Sequence, residues 1–214
     1  MKKEKLDIIY EDKEVIVVNK KSHLLTIATE KDNINTLYHQ VREYLNKKKE
    51  KVFIVHRLDK DTSGLIIFAK NIKMKEKLQF CFEKQTVIRK YEAEIREQVE
   101  LNKTFNVRQY LLIDNKNMTV YPTKNKKIGK EAITIVKTNN LTKLGTALDI
   151  EILTGRKNQI RIALKSLNFT LIGDSKYSFD KDKNMHLNAY YLQFPENIGL
   201  KVKEFRINTK YLKK

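Results

Sequence analysis

The residues best suited to chemistry lie in one stretch, His56-Arg57-Leu58-Asp59-Lys60-Asp61-Thr62-Ser63-Gly64, directly before the apolar run Leu65-Ile66-Ile67-Phe68-Ala69. It sets a carboxylate close to a guanidinium, and a carboxylate can act as nucleophile or general base. The apolar run is rich in β-branched and aromatic residues and is bounded by Thr62-Ser63-Gly64, so it reads as a buried strand. A buried strand holds its flanking turn rigidly, as a reactive group requires. Asp59 therefore stands where a catalytic carboxylate could stand. Aspartate also initiates turns routinely, and by spacing alone Asp59 and Asp61 read more readily as turn residues.

Three further clusters carry polar residues where a plain core would not want them. Lys90-Tyr91-Glu92-Ala93 opens a run of strands. Thr154-Gly155-Arg156-Lys157-Asn158-Gln159-Ile160-Arg161 follows the strand Leu148 to Leu153 and enters a helix. Ile172-Gly173-Asp174-Ser175-Lys176-Tyr177 is a glycine-led turn. Strand–glycine–helix junctions expose backbone amides at a positive dipole end, so basic residues there often face an anion. Taken singly, Arg156 and Arg161 read as exposed helix residues and Tyr91 as a half-buried strand aromatic.

Elements must position these groups. Ile8 to Tyr10 and Val15 to Val18, joined by Glu11-Asp12-Lys13, read as a hairpin or two short strands. Helical spacing predicts a helix over Asn33 to Lys49 with Asp32 or Asn33 as its cap, ending in the solvated run Lys47-Lys48-Lys49. A second is predicted over Ile72 to Phe82 with Asn71 as its cap. Short alternating segments follow at Tyr91 to Ile95, Thr104 to Leu112, Met118 to Tyr121, Ala132 to Lys137 and Ala147 to Leu153. A further helix starts near Arg156 with Ile160, Ala163, Leu164 and Leu167 on one face, and short strands return from Ala189. The pattern is α+β, on a large, mainly antiparallel mixed sheet flanked by helices. No linker or composition break divides the chain. It is expected to be one domain over residues 1–214, with no separate N-terminal RNA-binding module, because the first strand pair begins within ten residues of the start.

Composition narrows the partners. With 44 basic against 26 acidic residues, the formal net charge is +18. A field of that size attracts polyanions, nucleic acid first among them, and favours them over a membrane surface. The abundance of Lys, Asn and Ile suggests that part of the excess is drift in composition. One cysteine, Cys81, excludes a disulfide framework and sits at helical spacing with Met74, Leu78 and Phe82, as a packing residue does. The four histidines (His23, His39, His56 and His186) are scattered, with no metal-ligand spacing. No apolar stretch follows Lys2 to Lys5 at the length of a signal peptide or membrane span, so a soluble, cytoplasmic protein is expected.

In this order, HRLD-x-x-TSG before an apolar strand, then KY-x-A, TGR-x-x-QIR and IGD-x-x-Y, the chain resembles the RluA-type pseudouridine synthases over essentially its whole length. Tyr10-Glu11-Asp12 to Asn19-Lys20, Gly129-Lys130-Glu131-Ala132-Ile133-Thr134 and Leu187-Asn188-Ala189 also match. The resemblance implies the pseudouridine synthase fold and isomerisation of uridine to pseudouridine in ribosomal or transfer RNA, with no cofactor and no metal. It implies Asp59 as the essential catalytic group, attacking a carbon or removing a sugar proton. Arg161 is its ion-pair partner, and Tyr91 lies against the flipped uracil. Contacts to RNA are expected from Arg57, His56, Thr62 and Arg156, in a protein acting as a monomer.

Some positions depart from the family pattern. Asn158 and Ala163 stand where TGR-x-H-Q-I-R-x-H carries histidines, Lys21 and His23 replace the proline and glycine of N-K-P-x-G, and Asn188 interrupts L-H-A. These put substrate identity in doubt more than activity. Two rival readings are a catalytically silent RNA-binding protein and a glycosidase using Asp59 and Asp61. The second leaves the later motifs unused and the +18 charge without purpose.

Overall fold

The apolar runs Val15–Val18 and Leu65–Ala69 have no polar alternation and no exposed residue, as expected of strands covered on both faces. They pair antiparallel with each other in an α+β fold with eleven strands in a large, mainly antiparallel sheet and three α-helices among the described residues. The computed structural model describes residues 6–28, 35–114, 116–117 and 119–213. Backbone contacts divide the chain into two units. One runs up to Val87 and includes Ala189–Ile207; the other holds Ile88–Asn188 and the segment from Asn208.

In the first unit, β1 (Ile8–Glu11) and β2 (Val15–Lys20) form the expected antiparallel hairpin. Asp12 Oδ1 accepts the N–H groups of Glu14 and Val15 at 2.8 Å each and so shapes the turn. β3 (Phe53–Ile54) and β2 both pair antiparallel with β4 (Ser63–Ala69). Helix α2 (Ile72–Glu83) starts as predicted, with Asn71 accepting from the Met74 N–H at 2.8 Å. It buries Met74, Leu78 and Cys81 against Val15, Val17, Leu65 and Ile67. Helix α1 spans Leu37–Asn46 and is capped by Thr36, not by Asp32 or Asn33, which lie outside the described residues. Lys48 is more than a solvated charge, since it reaches Glu11 at 2.8 Å.

The second unit is an antiparallel array in the order β5 (Ile88–Ile95), β9 (Thr146–Ile152), β8 (Lys130–Leu141), β6 (Thr104–Asp114) and β7 (Thr119–Pro122). Residues of β8 alternate between buried and half-exposed, and the covered face meets α3 (Gln159–Ser166) through Leu111, Ala132 and Ile162. The helix expected from Arg156 begins three residues later, because the Gln159 side chain takes the Arg156 N–H at 3.0 Å and closes a turn there. Strand β10 (Leu187–Gln193) starts in this unit, continues into the first, and pairs there with β11 (Glu204–Arg206).

Candidate active site

Asp59 lies on the irregular segment between β3 and β4 and is half-buried. That segment is tied down by side chains of residues 20–26, alternately along its length. The Thr26 hydroxyl donates to the Leu58 carbonyl at 2.8 Å and accepts the Leu58 N–H at 3.2 Å. Lys20 Nζ donates to the carbonyls of Lys60, Lys21 and Leu24 at 2.8, 2.9 and 2.7 Å. The Ser22 hydroxyl donates to the Asp61 carbonyl at 2.6 Å, and the His23 imidazole meets the Asp61 carboxylate at 3.2 Å. Both neighbours of Asp59 in the chain are therefore held through their carbonyls.

Lys20 has no exposed surface. Burial pushes its pKa down to about 8, while the negative charges of Asp61 and Asp59 act in the opposite direction. An ammonium so placed satisfies three carbonyls and brings positive charge near Asp59. The flanking residues divide their work. Leu58 is buried, which anchors the loop, and Thr62 is buried where β4 begins. His56 accepts the Ile67 N–H on Nε2 at 3.2 Å and stacks on Phe82 at 4.6 Å between ring centres, so its ring is engaged within the protein. Arg57 is exposed and makes no hydrogen bond or ion pair among the described residues. Gly64 holds φ +114 with the Ala189 backbone so close that a Cβ would lie 2.2 Å from the Ala189 oxygen. Only glycine fits there.

The other candidate residues belong to the second unit. Tyr91 is buried on β5, paired in register with Ile150. Two residues before it, Arg89 is buried and donates to the Leu153 carbonyl at 3.2 Å. Burial lowers the Arg89 pKa; Tyr91 opposes that effect and the Arg156 cation adds to it. Gly155 lies against this guanidinium, and a Cβ there would sit 2.7 Å from Arg89 Nη1, so a larger residue would displace the end of that side chain. Arg156 is half-buried and its Nε donates to the Glu131 carbonyl at 2.8 Å.

Arg161 is buried, contrary to the exposed helix residue that its type alone suggests. Within its unit it is paired with Asp174, Nε to Oδ2 at 2.8 Å and Nη2 to Oδ1 at 2.5 Å, and its guanidinium lies over the Tyr177 ring at 4.8 Å. Asp174 also takes the N–H groups of Lys176 and Tyr177 at 3.0 Å. A guanidinium has five N–H donors, and this carboxylate uses two. The departures from the family pattern have local explanations. Asn158 adopts φ +54, which asparagine tolerates, and donates to the Tyr177 hydroxyl at 2.8 Å. Asn188 donates to Glu92 at 2.8 Å, and Ala163 is core.

His56, Arg57, Asp59 and Thr62 thus share one loop, whereas Tyr91, Arg156 and Arg161 lie on β5 and around α3. The residues that sequence reasoning left out of the site are Lys20, Thr26 and Asp174. Asp174 and Lys20 both stand within stretches that match the family pattern, but the sequence assigns neither a role. Among the described residues no group of three His, Cys, Asp or Glu side chains has metal-binding geometry, and no helix is long and apolar enough to cross a membrane.

The pinned carboxylate, the buried tyrosine and the buried arginine fall on the motifs that carried the resemblance, and comparison with known proteins agrees. Residues 14–166 match the family profile described as RNA pseudouridylate synthase. The chain is 32% identical over 180 residues to ribosomal large subunit pseudouridine synthase D of Buchnera aphidicola, covering 81% of this chain and 55% of that protein. It is 31% identical over 214 residues to ribosomal large subunit pseudouridine synthase C of Rickettsia bellii, covering 92% and 64%. It therefore spans less than two thirds of either relative. The fold is similar to human RNA pseudouridylate synthase domain containing 4 (TM-score 0.74, 20% identity, 95% of this chain and 88% of that one). Human RNA pseudouridylate synthase domain containing 1 is equally similar (TM-score 0.74, 21% identity, 96% and 83%). With the family profile matching well over half its length, the chain belongs to the RNA pseudouridylate synthase family.

Proposed function

We propose that the chain isomerises uridine to pseudouridine within RNA, with the Asp59 carboxylate as the essential catalytic group. The observation that carries this reading is the loop itself, where a half-buried carboxylate is held through both neighbouring carbonyls beside an exposed arginine. A pinned carboxylate keeps one attack geometry, as covalent or general-base catalysis requires. The bond from ribose to uracil nitrogen breaks, the base turns, and a bond forms from ribose to uracil carbon 5. Carbon 5 then loses its hydrogen as a proton while the former bonding nitrogen gains one, so the product is an isomer. The Tyr91 phenol offers a stacking face and a group able to take that proton. Arg161 supplies the positive charge that keeps the catalytic carboxylate ionised. Arg57 reaches the RNA backbone or the space left by the flipped nucleotide, with His56, Thr62 and Arg156 in supporting contacts.

The substrate class is ribosomal or transfer RNA; the names of the relatives favour ribosomal RNA. The chain works as one catalytic domain, as a monomer in the cytoplasm, and without metal or cofactor. Because carbon 5 loses its hydrogen, RNA carrying tritium at that carbon releases it to water on turnover. Transcripts of large-subunit ribosomal RNA and of transfer RNAs so labelled are the test. The wild-type protein is expected to release tritium from one of them and Asp59→Ala to release none. Full release by the alanine variant would refute the role of Asp59, and no release by the wild type from either RNA would refute the activity.

A further inference from the structure

His23 occupies a position where the family pattern has glycine, and its backbone still adopts the conformation glycine would take, φ +62. A histidine there bears a left-handed strain that glycine would avoid. Its side chain has a specific partner. The Nδ1–H donates to Asp61 Oδ1 at 3.2 Å, next to the Ser22 hydroxyl on the Asp61 carbonyl at 2.6 Å. At the other end of the same segment, Thr26 holds both backbone groups of Leu58. Residues 22–26 thus hold the chain one residue before Asp59 and two residues after it.

Resting on the catalytic reading of Asp59, we propose that Ser22, His23 and Thr26 form a clamp that positions that carboxylate, with His23–Asp61 as its adjustable tie. The strained backbone is retained because it aims the imidazole at Asp61, a task glycine cannot perform. Asp61 then has a defined use beyond shaping the turn: it is the anchor by which residues 20–26 hold the catalytic loop. His23, Asp61, Ser22 and Thr26 are positioning residues, and none of them needs to touch RNA.

The test compares His23→Gly, His23→Asn and Asp61→Ala with wild type in hydrogen exchange over residues 55–64, thermal unfolding, and tritium release from labelled large-subunit ribosomal RNA. His23→Gly relieves the backbone and loses the tie. Its unfolding midpoint should stay within about 2 °C of wild type. Exchange in residues 55–64 should quicken about fivefold, the scale of one lost hydrogen bond, and kcat should fall about as much with KM unchanged. His23→Asn tolerates the left-handed backbone and carries an N–H donor, so it should recover most of both losses. Asp61→Ala, which removes the acceptor, should resemble His23→Gly, and combining the two should add little. Unaltered exchange in His23→Gly would overturn the clamp, as would a raised KM at constant kcat, which would make His23 an RNA contact. If the wild type released no tritium, the catalytic reading would fall, and the exchange data alone would decide whether the clamp exists.

Discussion

Replacing Arg161 by alanine strands the Asp174 carboxylate in the interior. The Asp174 side chain has no exposed surface and that of Arg161 only 9%, and the pair shares two hydrogen bonds. Removing one partner of such a pair costs about 3 to 5 kcal/mol, because the remaining charge has lost both water and counter-ion. Two backbone N–H groups still serve Asp174 in the variant, from Lys176 and Tyr177, which points to the lower half of that range. The stacking of Arg161 on Tyr177 is lost as well, at about 0.5 to 1 kcal/mol. A total near 3.5 to 5 kcal/mol divided by a urea slope of about 2 kcal/mol/M gives a midpoint lowered by roughly 1.8 to 2.5 M. Urea titration of wild type and Arg161→Ala measures it directly. A paired replacement, Arg161→Met with Asp174→Leu, removes both charges and should recover much of the loss. A midpoint lowered by less than about 0.5 M in Arg161→Ala would refute the claim that this buried pair organises α3 and the turn it meets.

Three other outcomes follow from the same geometry. Lys20 has a folded-state pKa of about 8, below its ordinary 10.5, so between these values the unfolded chain binds more protons than the native one. Stability of the wild type relative to Lys20→Met should therefore rise as pH goes from 8 to 10.5 and stay flat below 8, as urea titrations across that range would show. Gly64→Ala combines a forbidden φ with a backbone clash and should cost at least about 3 kcal/mol, read as loss of soluble protein or a collapsed melting point. Arg57→Ala should leave stability within about 0.5 kcal/mol, since the side chain is exposed and has no partner among the described residues. Its RNA affinity should fall, and the slope of log affinity against log salt should shrink by about 0.7 to 0.9, in a filter-binding titration.

Legibility in the sequence followed how local the cause was. β4 could be read because five consecutive apolar residues after a turn leave few alternatives, and α2 because its spacing and the Asn71 cap agree. The start of α3 was misplaced because it depends on where one side chain, Gln159, turns back to take Thr154 and Arg156. Asp59, Tyr91 and Arg161 could be named from ordered motifs. Their surroundings could not, because they arise from contacts between distant segments. Lys20 meets the Lys60 carbonyl across 40 positions, and Arg161 meets Asp174 across a turn 13 residues on. A lysine at a strand end reads as solvated by its type; only the three carbonyls converging on it explain its burial. His23 is similar, since nothing in its type announces a left-handed backbone or a partner at Asp61.

The central claim is that Asp59 makes pseudouridine in RNA. Its most direct measurement is a transcriptome-wide map of pseudouridines in cells carrying the wild-type gene, a deletion, and Asp59→Ala at matched protein levels. At least one site, expected in large-subunit ribosomal RNA, should vanish in the deletion and equally in Asp59→Ala. A site that disappears in the deletion yet persists in Asp59→Ala would contradict the catalytic role of that carboxylate, and a map unchanged by the deletion would contradict the activity itself.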